Sequence, residues 1–150
     1  MPDPEQIACW QRIDAGLTTS GKLVDGDPQR LAMLGVRRVI NLALASHPEA
    51  LPDEAGQLAG LGIDYVHIPV PFDAPDDSHF AAFQAAMDGA GDTPVHVHCI
   101  LNWRVSAFVY RWNRARGMAE ADARALMRQQ WEPETSDNKD APAWARFIAR

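Results

Sequence analysis

Cysteine is scarce in this chain. Cys9 and Cys99 are the only two among 150 residues, too few for a disulfide framework and suited to a reduced, cytoplasmic setting. Long apolar runs are absent as well. No stretch approaches the 18 residues of a membrane span, so no membrane partner is expected. The first residues, Met1-Pro2-Asp3-Pro4-Glu5, are acidic and lack an apolar h-region, which argues against a signal peptide or anchor. Positive charge is also in deficit: 14 Lys and Arg against 20 Asp and Glu leave a net charge of −6. Nucleic acid and anionic membranes both want basic patches, so neither is expected as a partner. No repeat, low-complexity segment or second domain is visible. Residues 1–150 are therefore read as one domain, able to bury roughly 70% of its unfolded surface.

The informative stretch is Pro94 to Ser106, P-V-H-V-H-C-I-L-N-W-R-V-S. Val95 and Val97 alternate with His96 and His98, which predicts a strand over 95–98. Beyond Arg104 the period changes. Val105, Phe108, Val109 and Trp112 form the apolar stripe of a helix running to about Arg116. Strand, loop and helix meet at Cys99, where loop amides and a helix N-terminus would face whatever sits above the sulfur. Such surroundings lower a cysteine pKa from about 8.5 to about 3.5–7.5. One geometry would thus supply a nucleophile and an anion cradle.

Elsewhere, residues 1–12 read as a polar leader carrying Trp10. Leu17–Ser20 is a strand ending in a turn at Gly21-Lys22, and Asp27-Pro28 caps a helix to about Leu34 that Gly35 closes. Val36–Ala43 is a strand apolar enough to be central. Residues 47–60 are helical in composition, and Ile63–Val70 alternates as a strand that Pro69 and Pro71 end. The acidic loop P-F-D-A-P-D-D-S follows, with Asp77 or Ser78 capping a helix over 79–90. After Gly117 come a helix over Glu120–Trp131, a polar loop over 132–140 and a terminal helix placing Trp144, Phe147 and Ile148 on one face. The alternation of strand and helix predicts an α/β fold, a largely parallel sheet flanked by helices, with Cys99 at the carboxyl end of a strand.

His98, Cys99, Arg104 and Ser106 resemble the signature of the cysteine-dependent protein tyrosine and dual-specificity phosphatase superfamily, H-C-x5-R-[S/T]. They also resemble a small bacterial phosphatase-like group carrying H-C-x-x-N-[aromatic]-R-x-S, which has a similar S-G-x-L opening. The resemblance implies a three-layer phosphatase-like fold with a central sheet of four to five strands. Cys99 would attack phosphorus, the fork of Arg104 would grip the phosphate, and Ser106 would stabilise the thiolate as it leaves. His98 would orient the cysteine. Ile100, Leu101, Asn102, Trp103, Arg104 and Val105 would form the substrate-binding loop. The pattern departs at one point: the arginine comes five residues after the cysteine where the superfamily has six, and Val105 occupies the usual arginine position. Arg104 is either a displaced phosphate ligand or a surface charge left after the true arginine was lost. Asn102 stands where glycine is usual and tolerates a left-handed backbone. Trp103 either walls the pocket or packs beneath the loop.

A phosphatase needs an acid to protonate the leaving alcohol. Asp73, 26 residues before Cys99 in V-P-F-D-A-P, looks like the superfamily's acid loop, with Asp76 and Asp77 as rivals. No cofactor is implied. His96 and His98 share a strand face, but the Cys99 thiol would point to the other and no second ligand pair has metal spacing, so no metal is expected. Hydrolysis of phosphate monoesters on a phosphorylated protein or small molecule is the leading expectation. A non-catalytic phosphate-binding relative is the first alternative and a rhodanese-like sulfurtransferase the second. The sequence is silent on oligomeric state.

Overall fold

Val95 and Val97 turn to one face of a strand, while His96 and His98 turn to the other, and this alternation sets the two sides of the sheet. The structure, a computed structural model, describes residues 2–150. Its strands are β1 (Gln11–Asp14), β2 (Leu17–Ser20), β3 (Arg38–Asn41), β4 (Asp64–His67) and β5 (Val95–His98). Its helices are α1 (Asp27–Leu34), α2 (Glu54–Ala59), α3 (Asp77–Ala90), α4 (Trp103–Ala115), α5 (Glu120–Arg128) and α6 (Ala141–Ile148). The sheet runs β1-β2-β5-β3-β4. Only β1 is antiparallel to its neighbour, and β5 lies between β2 and β3 with Val97 opposite both Thr19 and Ile40. A parallel strand in that position is covered on both sides, which is why all four β5 residues are buried.

Two apolar clusters cover the faces. Val39 joins Leu23, Leu31, Leu51, Leu58 and Ile63 under α1 and α2, while its neighbour Ile40 joins Val95, Val97, Phe83, Phe108, Trp144 and Phe147 under α3 to α6. This is the expected three-layer α/β fold with five strands. Helix α4 is its pivot. Its predicted stripe of Val105, Phe108, Val109 and Trp112 is at most 9% exposed, and the helix packs against α3, α5 and α6.

Several sequence expectations need correction. The leader is not all leader: Gln11–Asp14 is an edge strand pairing Gln11 with Thr19. Its polar residues hide the period, because one side faces solvent. Ile7 is buried in the core, and the Trp10 ring stacks on His96 with centroids 5.3 Å apart. Residues 47–53 form turns instead of helix, since Pro48 and Pro52 disfavour the helical region for the residues before them. Helix α3 begins two residues early. Its cap is Asp76, whose carboxylate accepts from the amides of Ser78 and His79, and the His79 ring accepts the Asp76 amide in return.

Candidate active site

The chain leaves β5 at His98 and enters α4 at Trp103, so four residues make the bend. The Cys99 amide donates to Ser20 and the Lys22 amide to the Ile100 carbonyl, tying the loop to the end of β2. Asn102 completes the turn in the left-handed region, φ 67° and ψ 4°. Its side-chain amide donates to the Cys9 carbonyl and the Thr19 hydroxyl, while its Oδ1 is buried with no partner among the described residues. The backbone amides from Ile100 to Arg104 donate to no protein acceptor among the described residues. Five neighbouring N–H groups left so at a helix start can receive an anion.

Cys99 and Arg104 line one cleft of about 510 Å³ with Ile100, Leu101 and Trp103 from the same loop. Phe72 after β4, Leu44, Ser46, His47 and Pro48 after β3, and Asn138 before α6 complete its walls. Arg104 is 7% exposed, donates from Nη1 to the Val70 carbonyl at 3.0 Å, and has its Cζ 5.8 Å from the Phe72 ring centre. No carboxylate among the described residues pairs with it. A buried guanidinium without a counter-ion is unfavourable unless an anion completes it. Val105, one residue on, is fully buried in the core. The arginine that faces the cleft is therefore the one at position 104. Trp103 both walls the cleft and packs, lying 4.7 Å from Trp131 at a 4° interplanar angle.

The other sequence-predicted residues lie further out. Ser106 is buried beneath the loop, donates to the Trp103 carbonyl at 2.9 Å and does not line the cleft. Asp73 is exposed, next to the cleft residue Phe72 but outside the lining. Asp76 is engaged as the α3 cap, and the Ser78 hydroxyl and His79 amide hold its carboxyl below the usual range. Asp77 pairs with Arg111 and Arg150, which lower its pKa. Among the described residues, no acidic side chain lines the cleft.

Behind the loop stand the two histidines of β5. His96 is held by the hydroxyls of Thr18 and Ser20 at 2.8 Å each, and burial, with His98 nearby, pushes its pKa well below the usual value. His98 places Nδ1 3.2 Å from the Cys99 carbonyl oxygen and Nε2 2.7 Å from Glu54 of α2. Among the described residues, no three His, Cys, Asp or Glu side chains group as metal ligands.

A solved structure with this architecture is the "putative phosphatase (DUF442)" of Shewanella putrefaciens CN-32. It is 30% identical, with a TM-score of 0.81 over 95% of this chain and 88% of that one. The chain belongs to the DUF442 family. Other solved structures share the fold at lower identity. Tk-PTP in its active form is 18% identical, TM-score 0.72, over 93% of this chain and 95% of that one. P. aeruginosa TpbA is 19% identical, TM-score 0.71, over 97% and 87%. At those identities the likeness is one of fold. No protein-family model and no curated protein sequence matches the chain.

Sequence reasoning missed several parts of this DUF442 site. Glu54, Phe72, Asn138 and the wall after β3 come from loops and a short helix distant in sequence from Cys99. Only Phe72 left a trace, beside Asp73 in the acidic loop. Glu54 left none, because a glutamate in an alanine- and proline-rich segment reads as a solvated surface residue.

Proposed function

We propose that the chain hydrolyses phosphate monoesters through a phosphocysteine intermediate. The observation that supports this most is the buried, carboxylate-free guanidinium of Arg104 facing the same cleft as the Cys99 thiol. The thiolate attacks phosphorus, forming the S–P bond as the P–O bond to the alcohol breaks. The loop amides and the Arg104 fork hold the non-bridging oxygens, where charge gathers in the transition state. Asp73, carried by the loop that also carries Phe72, gives its proton to the departing oxygen. Water then breaks the S–P bond, the Asp73 carboxylate takes its proton, and phosphate leaves. Ser106 steadies the regenerated thiolate. The substrate is a phosphorylated protein of phosphotyrosine or dual-specificity type, or a small phosphoester. P. aeruginosa TpbA is known in complex with pTyr, and the Phe72 and Trp103 walls suit an aromatic ring. A reduced cytoplasm is the setting in which such a thiolate keeps working. Among the described residues no helix is long and apolar enough to cross a membrane.

The lack of a cleft-lining carboxylate favours a second reading, phosphate binding without turnover. Hydrolysis of a generic aryl phosphate by the reduced protein, beside its Cys99→Ser variant, separates the two. Turnover in the wild type and none in Cys99→Ser, with both stabilised by inorganic phosphate, is the expected result. Turnover that survives in Cys99→Ser would refute the mechanism. Phosphate stabilisation of both proteins without any turnover would leave the binding reading.

A further inference from the structure

Both ring nitrogens of His98 face an acceptor, the Cys99 carbonyl at 3.2 Å and Glu54 Oε2 at 2.7 Å. A neutral imidazole has one N–H, so both contacts bind only when a further proton lies between Nε2 and the carboxylate. His98 and Glu54 are 3% and 7% exposed, where hydrogen bonds polarise one another more strongly than in water. We infer that Glu54 is a positioning residue of the site. By binding Nε2 it turns the ring's Nδ1–H onto the Cys99 carbonyl, and by holding that further proton it keeps the positive end of the pair toward the nucleophile. The pair thus stabilises the Cys99 thiolate from behind the loop. This rests on reading Cys99 as the nucleophile.

The other groups packed around the pair do not replace the carboxylate. On β5, His96 has its ring centre 6.4 Å from that of His98 but is saturated by two hydroxyls, and its burial disfavours a proton. On β3, Asn41 lies opposite His98 in the ladder and is occupied with the Tyr65 hydroxyl and the Ala43 amide. From β4, Tyr65 is held protonated, chiefly by burial and further by Glu54 itself, and His67 bonds the Ala43 carbonyl. Asp53 beside Glu54 is exposed, and Arg104 faces the cleft. Glu54 is the one carboxylate paired with His98 among the described residues.

The test is the pH dependence of Cys99 alkylation by iodoacetamide, read at that cysteine by peptide mass so that exposed Cys9 does not interfere. Glu54→Gln keeps the shape and a polar contact to the ring but removes the charge. Its alkylation midpoint is expected to rise by about one pH unit, with alkylation about tenfold slower below the midpoint. In aryl phosphate assays kcat should fall while KM changes little, because the amide cradle is untouched. Should the variant fail to fold, the wild type itself decides by NMR. The inference expects a strongly deshielded proton on His98 Nε2, and its absence would overturn it. A Glu54→Gln profile superimposed on that of the wild type would overturn it too. A shifted profile in a protein that hydrolyses no phosphate ester would leave the role of Glu54 standing and sink the hydrolase reading alone.

Discussion

Restoring the superfamily's arginine spacing should damage this protein. In the double variant Arg104→Val/Val105→Arg the cleft loses its cation and the core receives one. Adjacent helical residues are turned by about 100°, so the new side chain would enter the site where Val105 is fully buried beside Ala107, Phe108 and Val109. Removing the buried valine costs about 1.5–2 kcal/mol of transfer free energy. Forcing a longer chain into a packed site adds about 1–3 kcal/mol, and an unpaired guanidinium there adds more. Relief of the unpaired charge at position 104 returns part of this, which leaves a net loss of about 4 kcal/mol.

That loss is a large fraction of the roughly 5–15 kcal/mol that holds a domain together. With a urea slope of about 2 kcal/mol/M, the unfolding midpoint should drop by about 2 M. Tryptophan fluorescence reads the transition, since Trp131 and Trp144 are buried. Phosphate should no longer raise the variant's midpoint, and aryl phosphate turnover should be lost. A variant that keeps the wild-type midpoint within about 1 kcal/mol, or hydrolyses faster, would refute the assignment of position 104 as the anion ligand and of position 105 as core.

Two further perturbations probe the loop from outside. Asp73→Asn should slow alkyl phosphates far more than aryl phosphates, because a phenoxide leaves with less help from an acid. Equal losses on both, measured as kcat/KM, would assign the proton to another group. Gly21→Ala should cost about 1–3 kcal/mol and weaken stabilisation by phosphate, because the new Cβ would press on the Ile100 carbonyl, backbone against backbone. Thermal midpoints with and without phosphate check it, and a variant matching the wild type in both would show that the loop is free to shift.

The fold was legible where one period ruled a whole element. Val95 to His98 alternates, α4 carries its apolar stripe, and Pro28 in the first turn with Gly35 at the end brackets α1, although its N-cap is Gly26 and not the expected Asp27. It was illegible where burial is one-sided or backbone chemistry overrides composition. β1 exposes part of its face and offers only Ile13 as an apolar signal, and the 47–53 segment has helical composition that Pro48 and Pro52 cancel. Within the site, the local string from His98 to Ser106 announced the loop, including the left-handed Asn102. The string could not say which of Arg104 and Val105 faces outward, since that depends on where the first turn of α4 begins. Glu54 depends on a contact spanning 44 residues, which no local pattern encodes.

The same few residues break local rules together. Among the described residues, Arg104 is a buried cation without a carboxylate, Asn102 holds a backbone conformation that costs a non-glycine residue, and its Oδ1 is buried without a partner. Asn102 tolerates its backbone best among non-glycine residues, and its amide fastens the turn to Cys9 and Thr19, so two of these costs are partly offset. The charge of Arg104 has one carbonyl and one aromatic ring beside it, and no carboxylate among the described residues balances it. A fold selected for stability alone would place an apolar side chain at position 104, against Phe72 and the Val70 carbonyl. The arginine is intelligible when an anion is its partner, beside five loop amides that donate to no protein acceptor among the described residues. Stability is thus surrendered where the proposed chemistry needs a charge, and the neighbouring Val105 keeps the core closed beneath it.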